Sequence, residues 1–275
     1  MVRLDQWLVE EGYFPSRERA RLAVLAGEVA IEGRGGPLKA GTRVRPGDRV
    51  IVKERPRFVS RGGDKLDGAL QLFGLEVAGR QAMDVGSSTG GFTHCLLERG
   101  VVRVVCVDVG KGQLHWDLRR DPRVTVMEGR NARDLLRKDL PYVPDLVVVD
   151  LSFISLRKVL SALAAILDDG GDMIALVKPQ FEAERGRVGK GGVVRDPGVH
   201  RDVLRRVLGD AGELGLHLRG LLPSPLRGAD GNIEFFAWWS KAAGECGKPG
   251  SAGEHEGLIE KAVEEAWLRV KETGK

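Results

Sequence analysis

The sequence predicts an α/β protein, a doubly wound sheet of seven strands preceded by a small α+β module. Three observations predict it. Apolar runs such as "DLVVVD" (residues 145–150) are continuous rather than alternating, which marks strands buried on both faces and hence a parallel sheet. From about residue 61 to residue 240 such runs alternate with stretches of helical periodicity, the order that crossover helices require. Residues 1–52, by contrast, carry two short helical patterns and two strand-like pieces of their own. Between them "KERPRFVSRGG" (Lys53–Gly63), with Pro56 and a Gly pair, reads as a connection, the linker proper covering 53–60.

In the N-terminal module Leu4, Trp7 and Leu8 share one helical face. The second helix opens at a Ser16 N-cap and stops near Gly27. "EVAIEG" and "DRVIV" follow as short strands around the turn "RPGD" (Arg45–Asp48). Residues 1–60 hold 12 Lys+Arg against 8 Asp+Glu, a net charge of +4 that equals the excess of the whole chain. Attraction for an anionic partner is therefore concentrated here. Arg17 and Arg21 lie one turn apart on the second helix, and Arg3, Lys39, Arg43 and Arg45 are candidates to join them on RNA. A solvated charged face is the plainer alternative.

Beyond the linker the strand candidates are "QAMDVG", "RVVCVDVG", "RVTVMEG", "PDLVVVDLS", "DMIALVKPQ", "HLRGLLPSP" and "IEFFAWWS". Helical stretches are expected over Gly91–Arg99, Ala132–Lys138, Ser155–Leu167 and Val199–Leu214, and a short helix carrying Lys65 precedes the first strand. The loop "RGADGN" before the last strand suits an antiparallel hairpin. Residues 241–275 have the composition of a flexible linker followed by an amphipathic helix (Leu258, Ile259, Ala262, Ala266, Val270), free to dock on the body or a partner or to stay loosely attached. The charged start "MVRLDQWLVEEG" is no signal peptide, and no apolar run is long enough to span a membrane. Cys95, Cys106 and Cys246 lack metal-ligand spacing, so no metal is expected; they read as reduced structural thiols of a cytoplasmic protein.

The chemistry is concentrated in "MDVGSSTGGFTHCLLERG" (Met83–Gly100). Its Gly86-x-x-x-Gly90-Gly91 spacing is neither the dinucleotide fingerprint nor a P-loop. What remains is a strand-end Asp84, a tight glycine turn and a helix starting near Gly91. Asp108 ends the next strand, where a carboxylate accepts from both hydroxyls of a ribose, and Asn131 follows the third strand, near the expected adenine. A turn without phosphate clamps suits S-adenosylmethionine, whose nucleoside carries no phosphate. Asp84, Gly86, Ser87, Thr89, Gly90, Gly91, Phe92, Asp108, Asn131 and Asp150 are the candidate cofactor residues, with Asp84 and the Gly86 backbone at the amino-acid end. Seven strands with a final hairpin fit the methyltransferase variant of the Rossmann-like sheet.

Residues at the ends of the later strands narrow the acceptor. "VVVDLSF" has Leu151 and Ser152 where amine methylation uses prolines, and no Cys occupies the positions that pyrimidine C5 chemistry needs. Lys178 ends the fifth strand in "IALVKPQFE", Glu234 begins the last, and Lys65 stands in "SRGGDKLDGAL". Together Lys65, Asp150, Lys178 and Glu234 resemble the K-D-K-E tetrad of FtsJ-like ribose 2′-O-methyltransferases, and residues 1–52 resemble an S4 RNA-binding domain. With "VSRGGDKL", "DVGSSTGGFTHCLL" and "LVKPQFE", the chain over residues 1–240 is similar to the TlyA family of rRNA 2′-O-methyltransferases, historically labelled haemolysins. The resemblance implies methylation of cytidine ribose in 23S and in some members 16S rRNA, with Arg61 and Lys190 added to the RNA-binding set. Lys178 is expected against the 2′-hydroxyl, as a neutral base or as a charged stabiliser. The basic, Gly-rich segment Glu184–Gly198 is either a loop that closes over RNA or a mobile surface loop. A membrane-active haemolysin and a non-catalytic ribosome assembly factor are the rival functions.

Overall fold

A computed structural model describes residues 1–53, 56–242 and 252–273. Cys246 and residues 243–251 of the expected 241–257 linker lie outside the described residues, while 252–257 are not linker but the start of the C-terminal helix. The chain divides into two compact units, Met1–Pro56 and Arg57–Lys275.

The first unit comprises β1 (Val2–Arg3), α1 (Leu4–Glu10), α2 (Arg17–Leu25), β2 (Val29–Ile31), β3 (Arg43–Val44) and β4 (Val50–Val52). Ser16 caps α2 as expected, its hydroxyl oxygen accepting from the Arg19 amide at 3.3 Å. Gly27 at φ +70° ends the helix region. β2 and β4 pair antiparallel, and the Asp48 amide closes the intervening Arg45–Asp48 turn on the Arg45 carbonyl at 3.0 Å, with Gly47 left-handed at φ +89°. The two-residue pairing of β1 with β3 has no signature in the sequence. Leu4, Leu8, Ala20, Ala23, Val24 and Val29 form the core.

The second unit runs α3 (Arg61–Phe73), β5 (Gln81–Val85), α4 (Gly91–Glu98), β6 (Arg103–Asp108), α5 (Trp116–Arg120), β7 (Val124–Glu128), β8 (Leu146–Val149), α6 (Arg157–Ile166), β9 (Asp172–Val177), α7 (Pro179–Glu182), α8 (Pro197–Glu213), β10 (Leu216–Pro223), β11 (Phe235–Lys241) and α9 (Ala252–Thr273). All seven expected strands form one sheet in the order β10-β11-β9-β8-β5-β6-β7. β9, β8, β5, β6 and β7 are parallel neighbours, and β11 lies antiparallel between β9 and β10. Every residue of β8 is fully buried, which explains its uninterrupted apolar run. One face carries Met83, Val85, Val147 and Val149 against α6 and α8; the other carries Ala82, Val104, Leu146 and Val148 against α3 and α4.

Two further expectations need correction. Ala132–Lys138 is not one helix but two 3₁₀ turns, Ala132–Asp134 and Arg137–Asp139. Asn131 caps the first turn by taking the Arg133 amide at 3.1 Å, but Leu135 and Leu136 are extended and Asp139 takes the Leu136 amide at 3.0 Å, which a continuous helix would donate to the Ala132 carbonyl. "SRGG" is not connecting chain but the start of α3. A Cβ on Gly63 would collide with Phe58, and one on Gly91 would collide with Ser60 and lie 2.9 Å from the Gly63 amide. These glycines let the first turns of α3 and α4 touch.

α9 docks on α8 and β10 through Ile259, Ala262, Val263 and Ala266. Arg201–Glu260 and Arg205–Glu256 ion pairs flank the seam. Beneath it His200, fully buried, accepts the Trp267 indole N–H at 3.2 Å and lies edge-on to Phe235. Burial lowers the imidazole pKa to about 4, with Asp196 opposing and Arg201 assisting. The unfolded chain thus binds a proton that the folded one refuses, so stability is complete above the ordinary pKa of 6.5 and falls as pH drops toward 4. In His200→Asn, whose amide oxygen still accepts the indole, the difference in unfolding free energy from the parent protein is expected to shrink between pH about 7 and about 4. Urea unfolding of both proteins across that range measures it.

Candidate active site

The strand order reverses between β5 and β8, and the carboxyl ends of strands at such a switch point leave a crevice. Here two adjoining cavities open, of about 510 and 380 Å³. Gly86, Ser88, Asp150 and Ser152 line both. The larger adds Ser60, Arg61, Lys65, Ser87, Thr89, Gly91 and Phe92; the smaller adds Asp108, Gly110, Gln113, Arg130, Asn131 and Phe153.

The glycine turn is shaped by what surrounds it. Gly86 is left-handed at φ +82°, and a Cβ there would collide with the Asp150 carbonyl oxygen, so β5 and β8 can exit side by side only over a glycine. A Cβ on Gly90 would strike Leu118 and, at 2.8 Å, Leu114; Gly90 lines neither cavity and serves the packing of α4 on α5. Asp84 likewise departs from its expected place at the cofactor's amino-acid end. It is fully buried and absent from both cavity walls. Its Oδ2 accepts from the Thr93 amide at 3.0 Å and the Thr93 hydroxyl at 2.6 Å, fastening the first turn of α4 to β5. Burial raises its pKa to about 7 against the Thr93 hydrogen bonds, and the carboxylates of Asp150 and Asp108 add to the rise.

Asp108 stands at the rim of the smaller cavity. Its Oδ2 accepts from the Ser88 amide at 2.8 Å and its Oδ1 from the Gly110 amide at 2.7 Å, which fixes the carboxylate while leaving lone pairs for a diol. Ser88 holds φ +45° to present that amide. The volume, the fixed carboxylate and Asn131 in the wall fit a nucleoside; the glycine-lined larger cavity fits an attached amino-acid chain.

The four tetrad residues meet as two ion pairs. Lys65 Nζ lies 2.6 Å from Glu234 Oε2, the side chains 10% and 3% exposed. Lys178 Nζ lies 2.6 Å from Asp150 Oδ1 and donates to Ser152 Oγ at 2.9 Å. Gln180 Nε2 donates to Glu234 Oε1 at 3.4 Å and so ties the end of β9 to the buried pair. Glu234 sits one residue ahead of β11 rather than within it. Sequence reasoning missed Ser152, the hydroxyl that fixes Lys178. It also missed Phe153, left-handed at φ +65°, 92% exposed and 5.3 Å from the Phe181 ring. A strained, exposed aromatic beside a polar cleft is a stacking surface; "DLSF" was informative for the residues present, not only for the prolines it lacks.

Of the basic residues, Arg61 lines the larger cavity and donates to the Arg227 carbonyl at 2.8 Å. In the first unit Arg3 and Arg17 converge on Asp5 at 3.0 and 2.9 Å, and their guanidiniums hold its pKa at about 2. The Lys39–Arg43 loop is brought to the same place, Gly41 packing on the Arg3 guanidinium. Arg21, Lys39, Arg43 and Arg45 are exposed, with Arg43 donating to the Met1 carbonyl at 3.0 Å.

Fold and cleft define a methyltransferase: residues 58–241 match the FtsJ-like methyltransferase model and residues 2–50 the S4 domain. Beyond that class, the chain belongs to the TlyA family. It is 47% identical over 239 residues to the Mycobacterium tuberculosis 16S/23S rRNA (cytidine-2′-O)-methyltransferase TlyA, covering 86% of this chain and 89% of that one. It is 44% identical to YqxC of Bacillus subtilis over 98% and 95% of the two chains. A solved structure from Streptococcus thermophilus that carries a hemolysin label superimposes with TM-score 0.73 at 39% identity, over 98% of each chain.

Breaking the buried pair one-sidedly strands a charge in a dry cleft, so Glu234→Ala is expected to cost about 3–5 kcal/mol of stability. The double change Lys65→Met/Glu234→Leu removes both charges and is expected to recover most of that loss by urea denaturation, without recovering activity.

Proposed function

We propose that this protein transfers a methyl group from S-adenosylmethionine to the 2′-hydroxyl of a cytidine in ribosomal RNA, in the large subunit and, as the relative's name suggests, also the small. The observation that carries the reading is the pairing of Lys178 with Asp150 and Ser152 at the junction of the two cavities, beside a buried Lys65–Glu234 pair. A pure assembly factor has no use for two lysines and two carboxylates withdrawn from solvent at such a junction. Nothing favours membrane lysis: among the described residues no helix is long and apolar enough to cross a membrane, and the apolar face of α9 is spent on α8 and β10.

Asp108 and Asn131 would hold the nucleoside of the cofactor, and Gly86, Ser87, Thr89, Gly91 and Phe92 its amino-acid end. When bound, the cofactor supplies an electrophilic methyl on its sulfonium. The chain's own work is alignment and charge management. Lys178, oriented by Asp150 and Ser152, hydrogen-bonds the 2′-oxygen and stabilises the negative charge that builds there. Asp150, open to both cavities, receives the hydroxyl proton. Lys65 and Glu234 set the floor against which the ribose rests, and Phe153 stacks the base. The cluster of Arg3, Arg17, Arg21, Lys39, Arg43 and Arg45 supplies phosphate affinity, with Arg61 contributing at the cleft.

Incubation with labelled S-adenosylmethionine and separated ribosomal subunits, followed by mapping of the label, tests the reading; no transfer to either subunit would sink it. Lys178→Ala is expected to lower kcat roughly 10²–10³-fold while calorimetric affinity for S-adenosylhomocysteine stays unchanged. Asp108→Ala should do the reverse, weakening that affinity by roughly tenfold or more through loss of charged hydrogen bonds to the ribose.

A further inference from the structure

The Gly-rich segment 184–198 contains a device that the catalytic assignment leaves unused. Its tip is a tight turn: the Gly192 amide donates to the Gly189 carbonyl at 3.1 Å, and the Gly189 amide to the Val193 carbonyl at 3.1 Å. Gly191 and Gly192 are left-handed at φ +79° and +76°, and a Cβ on Gly189 would lie 2.8 Å from the Val193 carbonyl oxygen. Three residues of the turn are thus glycine by geometric need. The fourth, at the apex, is Lys190, exposed and, among the described residues, in no ion pair.

Asn232 holds this turn. It is 1% exposed, its Oδ1 accepts the Val194 amide at 3.0 Å, and its Nδ2 donates to the Gly192 carbonyl at 2.9 Å. Val194 is itself buried. Both ends of the side-chain amide are therefore spent on loop backbone, as a neighbouring strand would spend its own. Asn232 stands two residues before Glu234, and its carbonyl accepts the Gly228 amide at 3.0 Å. A Cβ on Gly228 would lie 2.7 Å from Glu234 Oε1. Turn, hairpin loop and the Glu234–Lys65 pair are linked in series.

We propose, building on the RNA-modifying reading above, that Asn232 is a positioning residue that fixes the 189–194 turn so that Lys190 meets a phosphate of the RNA beside the tetrad. A lysine is a compact point charge on a long stem. Mounting it on a preformed turn leaves only its side chain to be ordered on binding.

The test is a double-mutant cycle on binding of the full-length protein to deproteinised rRNA across a salt series. Lys190→Ala should reduce the slope of log affinity against log salt by about 1. Asn232→Ala, which changes no charge, should lose the same increment, and the double variant should bind no worse than Lys190→Ala. Amide exchange at 189–194 should accelerate in Asn232→Ala in the absence of RNA, while affinity for S-adenosylhomocysteine holds. Should Asn232→Ala fail to fold, Asn232→Ser, which is also neutral and too short to hold both backbone groups, carries the same cycle. Binding by the Asn232 variant equal to the parent's, or penalties that multiply in the double variant, would overturn the inference. Failure of the parent protein to bind rRNA would instead overturn the proposed function.

Discussion

The ion pair of Lys65 with Glu234 is the constraint on which the cleft depends. Its partners stand 169 residues apart, one on α3 and one on the loop before β11, and both are nearly without solvent. A buried ammonium or carboxylate alone is untenable, so the helix before the sheet and the last strand are obliged to close on each other. Gln180 then draws the end of β9 to the same point, and Lys178, two residues earlier, inherits its position. The arrangement is electrically neutral, which lets it lie at a cavity floor without expelling a polyanionic substrate or gripping it indiscriminately.

Charge is distributed with the same economy along the chain. Residues 61–275 hold 31 basic and 31 acidic residues, while the first 60 carry the whole excess. In the function proposed above, the positive excess of the S4 unit supplies the electrostatic affinity for nucleic acid and the catalytic unit is left nearly neutral. Arg3 and Arg17, sharing Asp5, show how a single buried carboxylate can hold two guanidiniums in place while the group keeps a net positive charge.

Much of this was legible in the residues. Continuous Val/Ile runs announced all seven strands because burial on both faces leaves no room for polar alternation, as at β8. The grouping of Lys65, Asp150, Lys178 and Glu234 came from its resemblance to the K-D-K-E pattern, and the fold brings the four together as two ion pairs. What escaped depends on contacts distant in sequence or on side chains competing with backbone. Gly63 looked like chain punctuation, although it is there to admit Phe58, and Gly91 likewise admits Ser60 and the Gly63 amide. Ala132–Lys138 has helical composition, yet Leu135 and Leu136 are extended and Asp139 captures the Leu136 amide. Asp84 was read as a ligand for its strand-end position, but strand registration turns it inward to Thr93. No local pattern reports that a carboxylate faces a hydroxyl nine residues on.

The placement of β11 has a consequence for how the molecule is made. Among the described residues it follows every other strand of its sheet in the chain, yet it is wedged between β9 and β10 rather than added at an edge. A nascent chain that has reached β10 already possesses every residue proposed for the cofactor, with Lys65, Asp150 and Lys178, but lacks Glu234. The sheet must admit its final strand between two earlier ones before the tetrad exists, a long-range step of the kind that folds slowly. The enzyme thus becomes competent only after β11 has been made and admitted to the sheet.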